Sequence, residues 1–279
     1  MSISEKRLRF LKPNESKANY PLFVFLPGLD GTGQLLKTQL PGLEKFFDVR
    51  CLSIPGDDLT DWTGLVEQTA DLIQAERQLG LSRPVYICGE SFGGCLALKL
   101  AAYSHDLFDR MILINPASSF SRQPIMGWGS TVVKWLPTPL YQISAIGLLP
   151  FLIASERIAP QNRNRLLTAM RSVTAKSAAW RLSLLNDFNL DEIPLHQIPQ
   201  PILIMASVTD RLLPSVTEAD RLVRYLPNAR KILLPDSGHA CLLEREIRLE
   251  EILGSRGFLL NNYGPKSLVA HCPSNVTMN

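Results

Sequence analysis

The 279-residue sequence is short of several things, and each shortage removes a class of function. It has no run of like charges: 29 Lys and Arg are dispersed among 26 Asp and Glu, leaving a formal charge of +3. That excludes the clustered basic footprint of a nucleic-acid binder, while a weakly positive field stays compatible with peripheral contact to an anionic lipid surface. It has no C-x-x-C pair. Cys51, Cys88, Cys95, Cys241 and Cys272 are scattered and odd in number, which argues against a zinc site or a disulfide framework and for a reducing compartment. It has no long apolar run: the longest, Ile143 to Ala154, is broken by Gly147 and Pro150 and falls short of the roughly 20 residues that cross a bilayer. The first residues, M-S-I-S-E-K-R-L-R-F-L-K-P, carry charges where a signal peptide needs an apolar core, so a cytoplasmic chain with an unused Asn275-Val-Thr sequon is expected. Internal repeats and the G-K-[ST] ending of a phosphate-binding loop are missing too, and neither a cofactor nor a metal is expected. Oligomeric state has no signal here.

What is present is a sequence 46% apolar, enough for one sizeable core. Short β-rich runs alternate with longer helical patterns: Leu22–Leu26, Val49–Ile54, Val85–Cys88, Met111–Ile114, Ile202–Ala206 and Lys231–Leu234. This alternation predicts an α/β fold, a mostly parallel central sheet with helices on both faces. The gap between the fourth and fifth runs is far longer than a crossover helix requires, so residues 117–200 are expected to form an inserted helical cap on a core of residues 1–116 and 201–260. Trp128, Val132, Val133, Trp135, Leu136, Leu140, Ile143, Leu148, Leu149, Phe151 and Leu152 read mostly as the cap's own small core, and the stretch from Leu166 to Leu185 reads as helix. Residues 261–279 lack periodicity and are expected to be a disordered tail.

The chemistry-bearing stretch is Gly89-Glu90-Ser91-Phe92-Gly93. Glycine and serine are common enough for G-x-S-x-G to arise by chance, so its context decides. Here it follows the strand-like P-V-Y-I-C and precedes C-L-A-L-K-L-A-A, a strand-to-helix turn. Such a turn projects a serine hydroxyl above the sheet edge, and the flanking glycines remove side chains that would collide. A serine is a weak nucleophile without a base, so the sequence must supply a histidine oriented by a carboxylate. Of four histidines, His239 follows the last strand-like run; His105, His196 and His271 read as surface residues. Asp210 follows the fifth run and completes the order Ser, Asp, His. Asp236 reads as a turn initiator; Asp187 and Asp191 are weaker candidates. The loop L-P-G-L-D-G-T-G after the first run makes the Leu29 amide a candidate oxyanion donor beside that of Phe92. Cys88 and Cys95 read as packing residues, and Glu90 as a residue making a surface hydrogen bond.

At these residues the sequence resembles the α/β-hydrolase superfamily, and more narrowly the esterase, lipase and thioesterase group of plastid phytyl ester synthase-like proteins. F-L-P-G-L-D-G-T-G, G-E-S-F-G-G-C-L-A-L-K-L-A, L-I-N-P-A-S-S-F-S-R, T-D-R-L-L-P-S and S-G-H-A-C-L-L-E carry the resemblance. It implies a serine hydrolase that cleaves a small-molecule ester or thioester of lipid character through an acyl-enzyme. It also implies a rival, an acyltransferase that passes fatty acyl groups to phytol or diacylglycerol, often with a second domain carrying H-x-x-x-x-D. None of the four histidines here has Asp five residues later, so the hydrolase half alone is expected. A third reading is a lipid-sheltering protein of the same fold without activity.

Overall fold

The computed structural model describes residues 7–78, 83–123 and 146–260. Among the described residues seven strands form one sheet: β1 Arg9–Leu11, β2 Leu22–Leu26, β3 Asp48–Ser53, β4 Val85–Glu90, β5 Arg110–Ile114, β6 Ile202–Ser207 and β7 Ala229–Leu234, in spatial order β1-β3-β2-β4-β5-β6-β7. All neighbours run parallel except β1, which pairs antiparallel with β3 through Arg9 and Ser53, Phe10 and Leu52, Leu11 and Cys51. The six expected strands are present with small changes at their ends. β1 was not foreseen, because three residues on a sheet edge carry no periodic signal.

The inner strands are apolar along most of their length because both faces are covered; Arg110 opens β5, and Glu90 and Ser207 close β4 and β6. Leu22, Val24, Leu26, Val85, Ile87, Met111, Leu113, Ile202 and Ile204 face one core cluster; Phe23, Phe25, Tyr86, Cys88, Ile112, Ile114, Leu203 and Met205 face the other. The helices are α1 Leu40–Leu43, α2 Trp62–Gln78, α3 Phe92–Tyr103, α4 Pro160–Arg171, α5 Ala175–Asn186, α6 Ser215–Tyr225 and α7 Leu249–Ser255, with a further helical stretch at 146–152. α3 buries residues all round, which its composition F-G-G-C-L-A-L-K-L-A-A-Y permits. No helix among the described residues is long and apolar enough to cross a membrane.

Between β5 and β6 the stretch read as one helix is two. Ser172, Val173 and Thr174 interrupt it, and the Thr174 side chain accepts a hydrogen bond from Ser177 N at 3.1 Å, an N-cap that starts α5 afresh. Leu149 and Ile153 are buried in a small cluster shared with Leu35, Ala240 and Leu243 from outside residues 117–200, whereas Leu148 and Phe151 are exposed. Leu184, Leu185 and Phe188 join the main cluster with β2 and α3. Trp128, Val132, Val133, Trp135, Leu136, Leu140 and Ile143 lie outside the described residues, as do His271, Cys272, Asn275 and the tail 261–279.

Candidate active site

The turn between β4 and α3 holds Ser91 at φ 53° and ψ −113°, a conformation non-glycine residues rarely adopt. Three backbone bonds secure it: Ser91 N donates to Ile114 O at 3.0 Å, and Ser91 O accepts from Gly94 N at 2.9 Å and Ala117 N at 3.0 Å. The flanking glycines are required by space. A Cβ on Gly93 would lie 2.0 Å from Leu26 O, and one on Gly89 would lie 2.4 Å from Gly93 O. The Phe92 side chain turns into the core and stacks on Trp62 at 4.9 Å between ring centroids.

Two loops at the same sheet edge bring the partners. His239 Nδ1 lies 2.7 Å from Asp210 Oδ2, and His239 Nε2 lies 2.9 Å from Ser91 Oγ. Asp210 follows β6; its Oδ1 accepts from Leu212 N at 2.9 Å and Leu213 N at 3.0 Å, and its Oδ2 also accepts from Ser215 Oγ. Burial would raise the Asp210 carboxyl, but the charge of His239 and these hydrogen bonds outweigh it and hold the group below the ordinary aspartate range. An ionised Asp210 only accepts, which assigns the proton to Nδ1 and leaves Nε2 free to take one from Ser91. His239 is buried; burial alone would depress its pKa, but Asp210, and more weakly Glu90, raise it.

The other candidates are elsewhere. His105 pairs with its neighbour Asp106 on the surface, and His196 is exposed. Asp236 is 77% exposed and lies 3.8 Å from Arg157, and Asp187 and Asp191 are exposed. Cys88 and Cys95 are buried free thiols whose pKa values burial pushes well above the ordinary range, as expected of packing residues.

Residues 28–31 form a turn, with Gly31 N donating to Gly28 O at 3.0 Å. A Cβ built on Gly28 would lie 3.8 Å from Ser91 Cβ, so this turn borders the serine. Neither Leu29 N nor Phe92 N, the two expected oxyanion donors, has a hydrogen-bond acceptor among the described residues. Free amides beside a serine, one at the positive end of α3, suit a developing negative charge.

Two features depart from or add to the sequence reading. Glu90 makes no surface hydrogen bond: it is 7% exposed, and its side chain has no hydrogen-bond partner among the described residues. Burial pushes its carboxyl up to about 7, with the His239 charge opposing and the Asp30 charge adding. The sequence signal was the motif's charged residue at the last position of a buried strand. Asn115 was missed. It is fully buried at φ 43°; its Nδ2 donates to Ser207 Oγ at 2.9 Å and His239 O at 2.8 Å, and its Oδ1 accepts from Ser207 N at 2.8 Å. One amide thus ties the ends of β5 and β6 to the histidine loop. The dipeptide Asn115-Pro116 directly after a strand was the available hint.

A strained serine at a strand-to-helix turn, hydrogen-bonded in series to a histidine and an aspartate from later sheet-edge loops, defines the α/β-hydrolase class. The sequence profile described as "Alpha/beta hydrolase family" matches residues 23–251, and the chain belongs to that family as an enzyme of the hydrolase type. It is 31% identical over 260 residues to "Phytyl ester synthase 1, chloroplastic" of Arabidopsis thaliana, covering 85% of this chain but 37% of that protein. It is 25% identical to "Pimeloyl-[acyl-carrier protein] methyl ester esterase" of Nitrosomonas europaea, covering 82% of this chain and 92% of that protein. The solved esterase EaEST from Exiguobacterium antarcticum has the same fold, with a TM-score of 0.74 at 19% identity over 89% of this chain and 98% of its own.

Proposed function

We propose that the chain is a serine esterase or thioesterase acting through an acyl-enzyme. His239 Nε2 takes the Ser91 proton as Oγ attacks the ester carbonyl; Asp210 holds the imidazole in orientation and stabilises its cation. The Leu29 and Phe92 amides receive the oxyanion. Collapse expels the alcohol or thiol, which takes the proton from His239. Water then enters and attacks the acyl carbon as His239 takes its proton; the acyl–Oγ bond breaks, Ser91 Oγ takes that proton back from His239 and the acid leaves. The observation that carries this reading is the continuous chain Ser91 Oγ, His239, Asp210 at 2.9 and 2.7 Å.

A fluorophosphonate probe tests it. Labelling of Ser91 is expected in the intact protein and none in Ser91→Ala, with esterase activity falling by about three orders of magnitude or more in the variant. A protein that shelters lipid without turning it over stays unlabelled.

The substrate we propose is a lipid-like ester. The support is the apolar composition of residues 117–200, read as a cap, together with relatives named for phytyl ester synthesis and for a methyl ester of an acyl carrier protein conjugate. In a chain-length series, medium and long acyl esters are expected to outrank acetyl; the reverse order removes the lipid reading. The resemblance to the longer phytyl ester synthase favours a second reading, acyl transfer. Supplying phytol or diacylglycerol with the acyl donor separates the two, because transfer gives new ester where hydrolysis gives free acid.

A further inference from the structure

Arg181, on the insert helix α5, is 2% exposed. Its guanidinium forks between two loops of the sheet edge: Nη1 donates to Leu29 O at 2.7 Å and Nη2 to Pro55 O at 2.7 Å. The first of these carbonyls belongs to the residue whose N–H stands without an acceptor beside Ser91. Gly31, at φ 68°, lies under the same guanidinium; a Cβ there would meet Nη1 at 2.6 Å. The Asp30 carboxylate in this turn acts on Arg181 electrostatically, and it is itself fixed by accepting from Thr32 N at 2.9 Å and from Thr32 Oγ1. A buried guanidinium is retained only where its donors are satisfied, and a fork with two separated acceptors is a task lysine cannot perform.

The rest of α5 fixes where that guanidinium sits. Thr174 N donates to Gly56 O at 2.8 Å, Ser177 Oγ to Asp58 O at 2.6 Å and Trp180 Nε1 to Thr60 O at 3.0 Å. Positions 174, 177 and 181 lie on one helical face, so this side of α5 is stitched to the loop after β3 and extends one arm to the loop after β2.

We propose that Arg181 is a positioning residue for the reaction: it holds residue 29 from its carbonyl side, so that the oxyanion pocket is complete only while α5 is seated. This rests on Ser91 being the nucleophile and Leu29 a donor to its oxyanion. The bond Arg181 makes is to backbone, and its effect is exerted on the transition state. Loss of Arg181 is therefore expected in kcat more than in KM.

The test compares wild type, Arg181→Lys, Arg181→Gln and Arg181→Ala for kcat and KM on an activated acyl ester and for the rate of Ser91 phosphonylation. A roughly ten- to hundredfold fall in kcat and in labelling rate is expected, with KM within about threefold, because a slack oxyanion donor costs on that scale. Millimolar guanidinium is expected to restore part of the Arg181→Ala rate, which a general loss of stability does not allow. If one variant does not fold, the remaining two carry the comparison. Wild type left unlabelled at Ser91 overturns the nucleophile reading itself. Wild type labelled, with the folded variants labelled and turning over at its rate, overturns the role of Arg181 alone.

Discussion

Glu90 and Asp210 place two carboxyls around one histidine under opposite conditions. Asp210 is satisfied by four hydrogen bonds, whereas Glu90 has none and is buried. When ionised, Glu90 raises the His239 pKa, and the charges it faces are those of His239 and Asp30; its own charge also bears on the thiols of Cys88 and Cys241. In Glu90→Gln the imidazolium loses that support, so the acid limb of kcat/KM is expected to move to lower pH, with a reduced plateau; pH-rate profiles of the two proteins check it. Stability is expected to change the other way. A carboxyl whose folded pKa is raised binds more protons in the native than in the unfolded state, so its contribution declines as pH rises from about 4 towards 7. Glu90→Gln is therefore expected to melt higher than wild type at pH 7 and to show no such gain at pH 4. The motif announced Ser91 plainly. It did not announce the burial of Glu90, because exposure at a sheet edge depends on loops far away in the chain. Asn115 and Arg181 were illegible for the same reason: their acceptors lie 124 and 152 residues away.

At the scale of elements, the strand-to-helix turn depends on space more than on composition. A Cβ on Gly93 would meet backbone oxygens of Leu26 and Pro27 at 2.0 and 2.6 Å, and neither can move without shifting β2. Gly93→Ala is expected to destabilise the protein by at least about 3 kcal/mol, read from denaturant midpoints. Gly28→Ala is the contrast: its nearest neighbours would stand at 3.6 and 3.8 Å, ordinary contact, and a change within about 0.5 kcal/mol is expected. Both glycines belong to legible motifs, yet only coordinates separate the one that is required from the one that leaves room in front of Ser91. The six long strands could be read because each holds a short apolar run between turn residues, even β3 with its buried Arg50 and β7 with its exposed Arg230 and Lys231. The break between α4 and α5 escaped because Val173 and Thr174 are tolerable in a helix, and only the Thr174 cap makes the interruption cheaper than continuation.

Across the molecule, the outer part of the sheet encloses an ionic cluster. Arg50, 1% exposed, pairs with Asp48 at 2.7 Å and Glu76 at 2.9 Å, and Arg83 pairs with Asp48 at 2.7 Å. Burial would raise both carboxyls, but the guanidinium bonds and charges prevail and hold them below their ordinary range. Their contribution is thus fully present above the unfolded carboxylate value, about 4, and is lost as pH falls through the lower folded values. Arg50→Met leaves two buried carboxylates short of a partner and is expected to cost about 3–5 kcal/mol at pH 7, with the difference from wild type shrinking below pH ~4. Denaturant melts at the two pH values check both parts.

The sheet's margins have a consequence for the protein in a crowded solution. Among the described residues, one margin is the three-residue β1 and the other is β7, which turns Arg230 and Lys231 outward. A neighbouring copy seeking to extend the sheet meets too short a ribbon on one side and, on the other, two exposed basic side chains, of which Lys231 is paired with Asp220. The sheet formed by the described residues is therefore poorly suited to zipping onto another along its margins, which keeps the elements that assemble the site from templating a fibre.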